Sequence, residues 1–455
     1  MAYSGKTNWT NNEIVEASDM NRIEQGILDV DAELGNVQTA LDGKVDDSQV
    51  LTNVPANAKF TDTVYTHPAT HPASMITDLP TGKKVARFVV GTSTVGWTAK
   101  DCDYLCDGTA DQTEINAAIT ALPATGGEIV ILDGTYNITA KINVTKNNVS
   151  IRGNGNATIL KRMYDSSTGE GVITLNNRSG CKIANLQVDG NKTSYTNSNN
   201  YGIYLNTSSN NTITGNTCNN NEYGIRLYSS SNNTITGNTC NNNNSYGVFL
   251  SSSSNNTITG NTCNNNNEYG IRLSSSSSSN TVTGNTCNNN NSYGIYLNTS
   301  SNNTITGNTC NNNEYGIYLN TSSNNTVTGN TCNNNGTGIY LTSSSNNTVT
   351  GNTCYNNGTG INLGSSSNNT VTGNTCNNNN YGIYLNTSSN NTVTGNTCIR
   401  GTGLTTDYTA SQHTIQLSGT GNSYNLIAMN NCMGKAVTNG GGTGNTLVNN
   451  KFDAT

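Results

Sequence analysis

The chain has 455 residues, of which 32% are hydrophobic and 11% charged, with 47 glycines. So little apolar matter excludes a broad globular core, and so little charge excludes a solvated, self-repelling disordered chain. A net charge of −6 leaves no electrostatic footprint for nucleic acid, and no apolar run is long enough to span a membrane.

Residues 1–45 open with a polar lead around Trp9 that lacks the apolar stretch of a secretory signal, so folding is expected in the cytoplasm of the producing cell. Ser18 is a good N-cap for a helix in which Met20, Ile23, Ile27, Val30, Leu34, Val37 and Leu41 recur at alternating steps of three and four. That is a heptad seam, and β-branched residues at its d positions favour three or four strands over two. Gly26 and Gly35 weaken the isolated helix, so partner strands are expected. Residues 46–84 form a Pro/Thr-rich linker. Its His67 and His71 each precede a proline and read as turn residues, so no metal or other cofactor is assigned.

Residues 85–197 carry the entry to a solenoid. Cys102 and Cys106 read as structural, since no second pair of metal-ligand type lies near them. The segment from Asp111 to Leu122 predicts a helix with Ile115, Ile119 and Leu122 on one face, stopped by Gly126-Gly127, and two short β-rich runs follow. Residues 198–398 then repeat one phrase nine times: N-N-T-I-T-G-N-T-C-N-N-N, Y-G-I-Y-L and a Ser/Thr/Asn tract. Its cysteines, from Cys218 to Cys398, fall 22 to 24 residues apart, the period of an all-β solenoid in which each repeat is one coil. Alternation predicts Ile213, Cys218, Ile203 and Leu205 inside, with Tyr204 outside. The cysteines are therefore expected as a stack of buried thiols rather than a disulfide framework. The Gly of each T-G-N suits a corner, and the Asn after it can bond its copy one coil on. Residues 399–455 are expected as C-terminal coils and cap, with an insertion over Ile399–His413 suited to binding.

Two stretches resemble known families. The opening N-W-T-N-N-E-I-V-E-A-S-D-M-N-R-I-E-Q-G-I and the linker V-P-A-N-A-K-F-T-D-T-V-Y-T-H-P-A-T-H-P-A-S-M-I are similar to segments of tail proteins and tail fibres of phages that infect Gram-positive bacteria. This resemblance, over about residues 8–80, implies a trimeric virion appendage joined to other tail proteins by its N-terminus and released by host lysis. The helix, Gly-Gly, strand, D-G-T-Y order resembles the start of pectin-lyase-like proteins, which implies a right-handed parallel β-helix capped by that helix.

From Ser198 to Cys398 the only charged residues are Glu222, Arg226, Glu268, Arg272 and Glu314, which offers no paired carboxylates and no metal cluster for catalysis. The Glu and Arg of each E-Y-G-I-R-L phrase are expected to pair locally. Asp103, Asp107, Asp111, Asp133, Asp165 and Asp189 lie before the array with no geometry that groups them. What the array offers is ladders. The outward position of G-I-x-L reads Tyr204, Arg226, Phe249, Arg272, Tyr296, Tyr318, Tyr340, Asn362 and Tyr384, and the position before that Gly is mostly Tyr. Aromatic faces among Asn, Ser and Thr suit sugar rings, so Tyr204, Arg226, Phe249, Arg272, Tyr296, Tyr318, Tyr340 and Tyr384 are the candidate ligand-binding residues. The same tyrosines could equally stack on one another or on sister chains. The expected function is a tail fibre attaching to a bacterial surface glycan. A tailspike depolymerase, or an ice-binding or adhesive solenoid with outward Thr pairs, are the alternatives.

Overall fold

The structure, a computed structural model, describes residues 86–452, so the heptad seam, the linker and both linker histidines lie outside the described residues. A single unit spans Gly82–Thr455. Its described part is an all-β parallel helix, and its one α-helix, α1 (Gln112–Ala121), covers the open N-terminal end. Ile115, Ala118 and Ile119 of α1 and Leu122 after it are buried on the first coils. Pro123, rather than the Gly-Gly pair, ends α1. It forces Leu122 out of the helical region, to φ −56° and ψ 151°.

Each coil has two main sides. One is a short Thr-x-Thr strand, as at Thr212–Thr214, and the other a longer Tyr-Gly-Ile strand, as at Tyr223–Tyr228. Strands of one kind pair in parallel with their copies one coil on, so Ile213 lies beside Ile235 and Ile225 beside Val248. The core is the single file expected from the repeat: Ile203, Leu205, Ile213 and Cys218 and their copies are fully buried. The stacked thiols are free. Burial pushes the Cys287 and Cys332 thiols far above the usual range, while hydrogen bonds from the neighbouring thiols hold Cys263 and Cys354 below it, and it is enclosure in the core that keeps reagents from all of them. In the native chain a thiol reagent is expected to label Cys102 alone, the one cysteine that is not buried, and all 13 after denaturation. A second native thiol reacting at a similar rate would show that the stack is open.

Polar ladders fix the corners. The side-chain amide of each G-N Asn donates to the side-chain oxygen of its copy one coil on, at 2.9–3.0 Å, without a break from Asn216 to Asn450. Two further Asn ladders, beginning at Asn211 and Asn221, and a Ser ladder beginning at Ser208, in which a backbone N–H donates to the serine Oγ one coil on, hold the other corners. Gly215 takes a left-handed φ of 63°, as the motif predicts, but so do Thr207, Asn210 and Asn220 at 50°, 59° and 59°. Most coils thus turn through four such residues, three of them not Gly, and the coil carrying Ser275 and Ser276 has one more. Their side chains are short, and their backbone groups are paired to neighbouring coils.

Candidate functional site

The site is the outer face of the Tyr-Gly-Ile sheet, and the glycine makes it. In the pairing of Tyr201–Leu205 with Tyr223–Leu227, every residue except the glycine finds a partner. A Cβ on Gly202 would lie 2.4 Å from the Gly224 carbonyl oxygen, and the same close approach recurs in each coil. This break in alternation brings the tyrosine before the glycine beside the x residue after it. Tyr201 and Tyr204 rings lie 5.3 Å apart, edge to face.

Two rows therefore merge into one aromatic surface. In the inner row Tyr223 stacks on Tyr246 at 4.7 Å, and Tyr246 on Tyr269 at 4.7 Å. In the outer row Tyr296 stacks on Tyr318 at 5.3 Å, and Tyr318 on Tyr340 at 4.9 Å. Ring contacts across the rows, such as Tyr293 to Tyr318 at 5.2 Å, join them. The tyrosines do stack on one another, and the outer ones remain half-exposed. Burial in the stack pushes the Tyr223 hydroxyl up to about 12, so it is a hydrogen-bond donor at neutral pH.

Phe249 is only 8% exposed, packed between Tyr223 and Tyr246, so of the candidate residues it supports the surface more than it offers itself. The row is interrupted where Thr337, Thr359 and Asn362 occupy ring positions, and the buried Asn362 Oδ1 has no hydrogen-bond partner. Rings resume at Tyr381 and Tyr384. His413, expected within the insertion, is instead the first residue of the next strand, pairs with Tyr381 and stacks on it at 5.5 Å. The insertion proper ends before it.

Arg226 and Arg272 replace rings in the outer row. The Arg272 guanidinium lies 5.1 Å from both the Tyr246 and Phe249 rings and donates to the Tyr246 hydroxyl at 2.5 Å, and Arg226 likewise donates to the Tyr201 hydroxyl. The expected local ion pairs do not form. Glu222 precedes the strand, sits in the corner and accepts from Ser245 Oγ at 2.5 Å and Asn244 Nδ2 at 3.0 Å. Glu268 likewise accepts from Ser245 Oγ at 3.3 Å. The corner rotates the carboxylate away from the arginine four residues on. Sequence reasoning also missed Arg162, which is fully buried at the base of the array and donates to the Tyr201 carbonyl at 2.6 Å, anchoring the first rung.

The six aspartates singled out before the array serve turns and neighbouring coils. Asp111 accepts from the Gly108 and Asn137 backbone N–H groups at 2.8 and 2.6 Å, and Asp165 and Asp189 accept from Asn200 Nδ2 and Asn220 Nδ2. Asp103, Asp107 and Asp133 accept from Val89 N, Thr109 N and Asn154 Nδ2. Cys106, Asp111 and Glu114 bring donor atoms within 4.8 Å of one another. Both Asp111 oxygens already accept backbone N–H groups, however, and burial holds the Cys106 thiol protonated. The insertion over 399–412 folds on itself, with Asp407 accepting from Thr402 N and Leu404 N at 2.8 and 3.0 Å. It leaves a shallow polar hollow among Asn356, Asn378, Arg400, Gly401 and Asp407.

Comparison with known proteins agrees on the fold. A family model described as a right-handed beta helix region matches residues 170–332, and one described as a periplasmic copper-binding protein (NosD) matches residues 293–455. The donors of the second stretch do not fit a copper centre among the described residues: its thiols are buried in single file, and His413 Nδ1 is engaged by Thr438 Oγ1 at 2.9 Å. Among solved structures, the chain is similar to the A-module of the Azotobacter vinelandii mannuronan C-5 epimerase AlgE4. That match has 19% identity and a TM-score of 0.56, covering 80% of this chain and 100% of that one. It is also similar to the Dettilon tailspike protein, with 19% identity, a TM-score of 0.55 and coverage of 73% and 66%. The pre-mature bacteriophage phi29 gene product 12 matches with 14% identity, a TM-score of 0.58 and coverage of 77% and 56%. At such identities the likeness establishes the right-handed parallel β-helix and nothing finer. No curated protein sequence matches the chain.

Proposed function

We propose that this chain is the receptor-binding rod of a phage tail appendage, and that it attaches to a bacterial surface glycan through the tyrosine face. The observation that carries the glycan part is the continuous stack of rings from Tyr201 to Tyr340, whose outer members Tyr204, Tyr296, Tyr318 and Tyr340 are partly exposed and bordered by neutral side chains such as Asn298 and Asn320. A sugar ring needs an apolar platform for its C–H face and neutral partners for its hydroxyls, and this face supplies both. The tail assignment is supported by the resemblance of residues 8–80 to phage tail proteins, and the shared fold agrees with it in kind. On this reading the chain is a homotrimer held by its N-terminal seam, joined there to other tail proteins and carried in the virion. No catalytic residue is assigned.

The test is binding of the full chain to intact host cells, compared with cells stripped of surface glycan. Binding is expected to fall by roughly tenfold or more on stripping, because each lost stacking and hydrogen-bonding contact removes about a kilocalorie. Equal binding to both would end the glycan reading, and release of reducing sugar would replace attachment by depolymerisation.

A further inference from the structure

We propose that the part of the face between Tyr204 and Tyr296 selects an acidic polysaccharide, with Arg226 and Arg272 receiving its carboxylate or phosphate groups. This deepens the glycan reading and rests on it. The two arginines stand in alternate coils of the outer row, in the order Tyr204, Arg226, Phe249, Arg272, Tyr296. At the spacing of paired strands this places them about 10 Å apart along the rod.

Neither arginine has a carboxylate partner, although Glu222 and Glu268 lie four residues before them in the chain. Each spends its hydrogen bonding on a single tyrosine hydroxyl in the preceding coil, and the Nε of each is buried without a partner. The guanidiniums are held instead over rings: Arg226 over Tyr201, Tyr204 and Phe249 at 4.6, 5.5 and 5.6 Å, and Arg272 over Tyr246, Phe249 and Tyr296 at 5.1, 5.1 and 5.8 Å. Ring stacking orients a planar cation and partly removes it from water without neutralising it. A fixed, half-desolvated guanidinium without a counter-ion is a receptor for a planar or tetrahedral oxyanion. Folding alone would be served as well by a tyrosine, which most of the other coils use at this position. A polymer lying along the rod would rest its sugar faces on the rings and meet a cation at every second coil.

The test uses the full chain and its R226Q/R272Q variant, with polygalacturonate, a glycerol-phosphate teichoic acid and dextran as probes, each over a range of salt. The wild-type chain is expected to hold at least one polyanion about tenfold more tightly than dextran, with affinity falling as salt rises. The variant should lose that preference and most of the salt dependence, and an R226K/R272K variant should recover the salt dependence but only part of the affinity. Which polyanion is preferred identifies the group as carboxylate or phosphate. An unchanged preference in R226Q/R272Q, or equal wild-type affinity for dextran and the polyanions, overturns this proposal while leaving the glycan reading intact. If none of the three probes binds and stripping the host cells of glycan changes nothing, both fall together.

Discussion

Asn308→Asp is expected to destabilise the middle of the rod by about 4 kcal/mol, the largest effect of any single substitution considered. Asn308 is fully buried, and its amide is saturated. Nδ2 donates to the Val282 carbonyl and to Asn330 Oδ1, both at 2.9 Å, while Oδ1 accepts from Asn285 N and Asn285 Nδ2, both at 2.9 Å. A carboxylate would keep the two accepted bonds but face two acceptors where it once donated, with a charge enclosed in the coil. Asn308→Ala removes the repulsion and leaves the partners unpaired, so about 2–3 kcal/mol is expected. Asn450, the half-exposed last rung, makes the same donation to Ile427 O at 2.9 Å but can exchange it for water, and its alanine variant should cost under about 1 kcal/mol. Because a repeat array need not unfold in one step, hydrogen exchange at the neighbouring coils measures this better than a single melting curve. Equal losses at Asn308 and Asn450 would show that the ladder does not hold the coils together.

The second large effect is expected at a glycine. In Gly294→Ala the new Cβ would lie 2.5 Å from the Gly316 carbonyl oxygen and 2.8 Å from Cys310 Cβ, so adjacent coils must separate. A loss of roughly 2–3 kcal/mol is expected from this overpacking. The adjoining Tyr293 and Tyr296 should lose their stacking, and glycan binding should weaken with them. Gly307→Ala separates steric crowding from backbone strain. Gly307 has φ of 62° and nothing within 4 Å of a built Cβ, so only the left-handed conformation is penalised, by about 1 kcal/mol. Urea unfolding of the two variants side by side decides the matter, and an Ala at 307 as damaging as one at 294 would contradict it.

Both comparisons turn on features that the sequence displays unevenly. The T-G-N glycine could be identified as a corner because Gly followed by Asn is a local conformational signal. The Y-G-I glycine looks like the same kind of residue on the page, yet its φ is ordinary and its requirement comes from a carbonyl one coil away. The consequence reaches the candidate site. Strict alternation assigns Tyr204 to the outside and would turn Tyr201 inward with Ile203, and only the break at Gly202 brings the two rings together. Likewise, Glu222 and Arg226 at a spacing of four suggest a pair on one strand. The strand begins at Tyr223, so the glutamate belongs to the corner and bonds Ser245 instead.

The sequence by itself determined the solenoid, its coil length, the identity of the buried file and the chemical character of the outward rows. These follow from a period and from alternation, which are local and repeat often enough to be unambiguous. Only the tertiary structure decided which rows meet, which charges remain without a partner and that the insertion ends before His413. Those outcomes depend on contacts between residues about 22 positions apart, as between Thr212 and Thr234, where a residue's neighbour is its copy in the next coil rather than anything beside it in the chain.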